Sequence, residues 1–209
     1  MLFADANKRA KYGLGRFAGE DAAAMPDSDR DLAAFYLARA LPQRWRHVQG
    51  VARRAERVAE YLCPAEGELL VAAAWLHDIG YAPPLVETGF HPLDGARALR
   101  RQLGTGERLW GLVAHHSGAI HEARVLGLDD QLDEFADDYS LVRNLLWYLD
   151  MTTSTDGKVV SFTDRMADVR ARYSAGHYLN RALGPSMYER QAAVSRAEQW
   201  MRHSRIELK

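Results

Sequence analysis

Apolar residues recur along this chain at spacings of three and four, in one stretch after another. No run alternates with period two for long enough to found a sheet. That pattern predicts an all-α fold, a single helical bundle with further helices flanking its middle. Asp27-Ser28-Asp29 reads as a cap for a helix to about Arg39, with Leu32, Phe35 and Tyr36 at helical spacing. Pro42 opens a second helix to about Leu62, whose buried stripe is Val48, Val51, Ala55, Val58 and Leu62. A third runs through Leu69, Leu70, Ala73, Ala74 and Leu76 to Asp78, where Gly80 and Pro83-Pro84 end it. Further helices are expected over about 92–103, 107–116, 129–137, 140–150, 164–173 and 185–205. A polar loop is expected at 152–157, followed by a short extended piece at Val159-Val160. Residues 1–26, with three glycines and no apolar periodicity, read as an irregular segment, and 27–205 as one domain.

The composition narrows the partners. With 209 residues the chain is long enough for one well-packed core. Its 27 basic and 28 acidic side chains leave a net charge of −1, against the basic surplus of a nucleic-acid or membrane-surface protein. The single cysteine, Cys63, excludes an internal disulfide framework and a cysteine-rich zinc site. No apolar run is long enough to span a bilayer, and the first residues lack a signal-peptide core. The expectation is a cytoplasmic protein with a small-molecule partner and no nucleic acid or membrane. The C-terminal helix offers a surface on which a homo-oligomer could form.

Histidine is unevenly spread: six of the eight lie between His47 and His121. The apolar run Leu70–Leu76 delivers His77 and Asp78 together at the end of a buried helix. Leu70, Ala73, Ala74 and His77 share one helical face, so His77 points into the core. Burying an imidazole and a carboxylate without partners is costly, and a metal ion satisfies both. Other ligand types stand at comparable places. His47 edges an apolar stripe, His91 opens a helix, His115-His116 close one, and Asp150 ends one. Imidazole nitrogen with carboxylate oxygen suits zinc, iron, manganese or nickel.

His47, then Leu76-His77-Asp78-Ile79-Gly80, then Asp150 resembles the H…HD…D pattern of the HD-domain metal-dependent phosphohydrolases, in its HDIG form. The resemblance covers roughly residues 44–157. His91-Pro92-Leu93-Asp94-Gly95-Ala96 and Ala114-His115-His116-Ser117-Gly118 are similar to the histidine segments of two-metal members. No Gly-Tyr-Pro follows as in the cyclic-dinucleotide phosphodiesterases of the family, because Gly80-Tyr81-Ala82-Pro83 stands at the wrong place.

The resemblance implies two divalent transition metals per chain. His47, His77, Asp78 and Asp150 would hold the first, while Asp78 would bridge to a second held by His91 and His115. His115 is preferred over His116 by its register, although both coordinate in some members. The implied activity is hydrolysis of a nucleotide or another small phosphate ester by a metal-activated water, with Asp78 also orienting the nucleophile. Arg44 and Arg46 flank His47 as candidates for substrate phosphate, with Lys158 and Arg165 behind them. Two alternatives stand beside this reading: a di-iron oxygenase of the same family cleaving a C–C or C–P bond, and a non-catalytic helical interaction module.

Overall fold

The computed structural model describes residues 28–103 and 106–206, so the reading of 1–26 lies outside the described residues. Among these the chain is all α-helix with short 3-10 turns, and its extended pairing is one isolated bridge between Thr153 and Val159. The expected piece at Val159-Val160 is reduced to that bridge.

Helix α1 (Asp29–Leu37) starts from Ser28, whose Oγ accepts from Asp31 N–H at 3.1 Å. Helix α2 (Pro42–Ala59) stops three residues short of Leu62. Cys63 precedes a proline and is held extended, so the chain turns before Pro64 begins α3 (Pro64–Leu76). Val48, Val51, Ala55 and Val58 are fully buried on α2. Helix α3 is apolar almost all round, with Leu70 and Ala72 to Leu76 buried, as befits a helix enclosed by others. It contacts α1 and α2, and also α5 (Glu107–Ala114) and α8 (Leu141–Met151). It ends at Leu76. His77 is its C-terminal cap, and Asp78 already leaves helical geometry for a 3-10 turn at Ile79–Tyr81.

Helix α4 (His91–Leu103) pairs with α5 and lies against that turn. Gly80 makes the approach feasible, since a Cβ there would stand 2.1 Å from His91 O. The sequence reading placed no helix between Gly118 and Asp129. The structure has α6 (Ala119–Leu126) there, bounded by the left-handed residues Gly118 and Gly127, followed by a single-turn α7 (Asp129–Leu132). Gly118, read as a stop, is also the point from which the next helix starts.

The C-terminal end departs furthest from expectation. After α9 (Phe162–Arg172), helix α10 runs over Tyr178–His203 with Pro185 inside it rather than at its start. A proline disfavours helix at the preceding residue through that residue's Cβ, and Gly184 has none. Helix α10 packs along α8 and α6. Trp147, Met151, Met166, Leu183, Ala193 and Val194 form a second apolar cluster that fastens α9 and α10 to the bundle. Among the described residues no helix is long and apolar enough to cross a membrane.

Candidate metal centre

Four helix ends meet beneath α10. His47 comes from the first turns of α2, His77 and Asp78 from the end of α3, and His91 from the start of α4. Asp150 comes from the last turn of α8, and His116 from the short turn after α5. All six residues are buried. Two groups of potential ligand atoms form, His47 with His77 and Asp78, and Asp78 with His91 and His116, each with its atoms within 4.8 Å of one another. Asp78 belongs to both. Its Oδ2 lies 3.3 Å from His77 Nε2 and 3.7 Å from His47 Nε2, while its Oδ1 lies 3.4 Å from His91 Nε2 and 3.8 Å from His116 Nε2. Asp150 Oδ1 is 2.9 Å from His47 Nε2 and 3.9 Å from His77 Nε2, on the side of the first group.

The protonation pattern tells what this cluster is built to hold. His47 donates from Nδ1 to Ser154 O at 3.0 Å, His77 to Ala74 O at 2.9 Å and His116 to Val113 O at 2.7 Å. A carbonyl can only accept, so each of these rings carries its hydrogen on Nδ1 and, when neutral, turns an Nε2 lone pair inward. His77 Nε2 is fully buried and hydrogen-bonded to nothing. His91 and His116 bring their Nε2 atoms within 3.1 Å of each other. Inward imidazole lone pairs beside two buried carboxylates are stabilised by positive charge placed among them. The donor set of imidazole nitrogen and carboxylate oxygen fits a pair of divalent transition metals.

The surroundings reinforce the same sign. Burial alone would raise the Asp78 carboxyl, but Arg44, His77 and His91 outweigh it and hold it well below the usual range. Burial likewise opposes ionisation of Asp150, and His47 and His77 overcome it. Burial pushes His91 well below its ordinary value and His116 below its own, which keeps both rings neutral and able to ligate. His91 is further fixed by its ring stacked on Tyr81, 3.8 Å between centroids.

The adjacent histidines separate. Helix α5 ends at Ala114, and the two residues that follow project in different directions. His116 faces the cluster. His115 turns the other way and donates from Nε2 to Phe135 O at 2.7 Å, which corrects the preference for His115. The two arginines also part. Arg44, three residues before His47 and on the same helical face, reaches Asp78 Oδ2 at 2.8 Å. Arg46 points outward to Asp156 at 3.2 Å, with both side chains about half exposed, and takes no part in the cavity. Lys158 is exposed, whereas Arg165 is buried in the cavity wall.

Several residues at the site escaped the sequence reading. Ser117, held at φ 51°, donates its hydroxyl to Asp150 Oδ2. Glu122 on α6 and Arg190 on α10 pair at 2.7 Å inside the same cavity. Arg54 crosses the core to the end of α8, where one nitrogen donates to Leu149 O, Thr152 O and Thr153 Oγ1. The Ser-Gly pair after the histidines was the one local signal for Ser117. Arg190 had none.

Compared with protein families, the chain matches the HD domain over residues 44–167, a span that contains every member of the cluster. No curated protein and no solved structure matches it.

Proposed function

The chain belongs to the HD-domain family, and from that premise we propose that it is a metal-dependent phosphohydrolase acting on a nucleotide or another small phosphate ester. The observation that carries the reading is the double role of Asp78. One carboxylate turns an oxygen to each of two ligand groups, as a residue shared by two ions must. Two divalent ions bound there would supply Lewis acidity, making water a better nucleophile at neutral pH and offsetting charge on the phosphate.

The ligands of the first ion would be His47, His77, Asp78 and Asp150, and those of the second Asp78, His91 and His116. The protein's own groups do the rest. The carbonyls behind His47, His77 and His116 fix the tautomer of each ring. Ser117 orients Asp150, leaving the other oxygen of that carboxylate on the His47 side. Asp78, kept ionised, accepts a hydrogen bond from the attacking water and aligns it. Arg44 lies 4.0 Å over the Tyr81 ring with a nitrogen already at Asp78, in position to donate to a phosphate oxygen beside the cluster. Met166 and Val169 of α9 line the same cavity and limit the water that can enter.

The test is elemental analysis of protein purified without chelators, together with phosphate release from a panel of phosphate esters. Two transition-metal ions per chain, with hydrolysis abolished in His77→Ala and Asp78→Ala, are expected. Metal-free protein, or hydrolysis that survives both substitutions, would refute the proposal. Two iron ions with oxygen consumption and no phosphate release would replace it by the oxygenase reading.

A further inference from the structure

The cavity over the metal cluster is lined by more positive charge than one phosphate can use. Arg44, Arg165, Arg172 and Arg190 face it, against the carboxylates of Asp78, Asp150 and Glu122. Two of those three carboxylates are the proposed metal ligands. With ions bound they would no longer balance the arginines, leaving Glu122, paired with Arg190, and the half-exposed Asp168 outside the cavity lining, which holds both Arg165 and Arg172.

Arg190 is the most constrained of the four. It is 5% exposed, and one terminal nitrogen is tied to Glu122 at 2.7 Å. A second lies 3.9 Å from the Met166 sulfur, a weak acceptor, and its Nε is buried with no hydrogen-bond partner. A guanidinium that has lost its water needs acceptors for all of its donors, and among the described residues Nε has none and one terminal nitrogen has only the weak sulfur. Gly118 is held at φ +79°, which favours glycine, and a Cβ there would stand 3.0 Å from Arg190 Nε and press on the guanidinium that α10 brings down onto the turn carrying His116. Arg165 is 7% exposed and holds Asp168, a half-exposed residue on its own helix, with one nitrogen at 3.1 Å. Arg190 lies beyond residue 167, outside the part of the chain that the family accounts for.

Resting on the phosphohydrolase reading, we propose that Arg190 and Arg165 form a second phosphate subsite, so that the substrate carries two linked phosphoryl groups. One group would meet the metal ligands and Arg44. Arg44 already reaches Asp78 of the cluster, whereas the buried Nε of Arg190 has no partner, so a group bound beside Asp78 and Arg44 would leave that donor to be met by another. A second group, joined through a bridging oxygen, would bring oxygens to Nε of Arg190 and to Arg165 with Glu122 holding Arg190 in place. The substrate class is then a diphosphate or longer polyphosphate ester, and simple monophosphates use only half of the cavity.

The test compares inorganic phosphate with pyrophosphate on the full manganese-loaded chain by calorimetry. Arg190→Gln alone would strand Glu122 without its partner, so the variants are Arg165→Gln and the charge-neutral double Glu122→Gln/Arg190→Gln. Each is expected to lower pyrophosphate affinity about tenfold or more, the scale of one lost charged hydrogen bond. Phosphate affinity and metal content should stay as in the wild type. Chelation by pyrophosphate is common to all three proteins and cancels from the comparison. Should the double variant fail to fold, Arg165→Gln decides alone. Pyrophosphate affinity unchanged in the folded variants, or lost in step with phosphate affinity, overturns the second subsite and leaves the phosphohydrolase reading standing. Binding of neither anion by metal-loaded wild type overturns that reading and the subsite with it.

Discussion

Gly50→Ala places a methyl group where α2 touches the loop that follows α8. The Cβ would lie 2.5 Å from Gly157 O, 2.6 Å from its Cα and 2.8 Å from its carbonyl carbon, against the 3.4 Å at which ordinary contact begins. All three neighbours are backbone, and Gly157 is itself held at φ +76° with Arg46 O against it, so no side chain can swing aside. The loop must retreat by about 1 Å. Overpacking of this kind costs roughly 1–3 kcal/mol. Alanine inside a helix recovers about 1 kcal/mol relative to glycine, so the net loss of stability is about 0–2 kcal/mol. The larger effect falls on the metal site. Ser154 lies in the same loop, and a retreat of that size takes its carbonyl out of reach of His47 Nδ1, now 3.0 Å away. Losing the group that orients a ligating histidine lowers metal affinity about 10- to 100-fold. Denaturant unfolding of the metal-free protein measures the first quantity, and competition with a chromophoric chelator the second. Gly67→Ala is the comparison. Its Cβ would meet Ala59 O at 3.0 Å, away from the cluster, so it should leave metal affinity unchanged. If folded Gly50→Ala binds metal within twofold of wild type, the argument that this loop orients His47 is wrong.

Stripping metal with a chelator should lower the unfolding temperature, and adding manganese or zinc back should restore it. Ions present at 100 times their dissociation constant stabilise by about 2.7 kcal/mol; an unfolding temperature indifferent to the chelator would count against a built site. Leu146→Ala removes a fully buried side chain from α8 and should cost about 2–5 kcal/mol in denaturant unfolding. Acid stability should depend on Glu189. Burial opposes its ionisation, but hydrogen bonds from Arg143 and His121 outweigh burial and lower its pKa. A depressed folded-state value adds stability above the ordinary carboxyl range and loses it as pH falls through the folded value. Stability measured against pH should therefore fall less steeply below pH 4.5 in Glu189→Gln than in wild type.

What was legible in the sequence was whatever depends on local periodicity. The stripe of α2 places His47, and the apolar run of α3 places His77 and Asp78 at its end. Asp150 follows from the stripe of α8 in the same way, and the structure brings these residues together. Decisions that turn on one residue's worth of helix were not legible. Whether His115 or His116 faces inward depends on α5 ending at Ala114, and a helix boundary is set by tertiary contacts as much as by sequence. The start of α10 was misplaced because Pro185 reads as a first-turn residue, and the relief that Gly184 provides carries little weight without the packing on α8. Arg190 was out of reach altogether. It is one of 23 arginines, and only the crossing of α10 over the His116–Gly118 turn distinguishes it.

Tyr81 is covered on both faces, by the Arg44 guanidinium at 4.0 Å and by the His91 ring at 3.8 Å, since two groups cannot share one face at those distances. Its phenol ring therefore sits in the electric field of a fixed cation on one side and of an imidazole on the other. An ion held by His91 would change that field, and the ultraviolet absorption of the stacked ring would be expected to shift with it. The fold thus contains an intrinsic chromophore one ring removed from the proposed second metal position. Difference absorbance would report the filling of that position in untagged protein, with Tyr81→Phe as the silent reference.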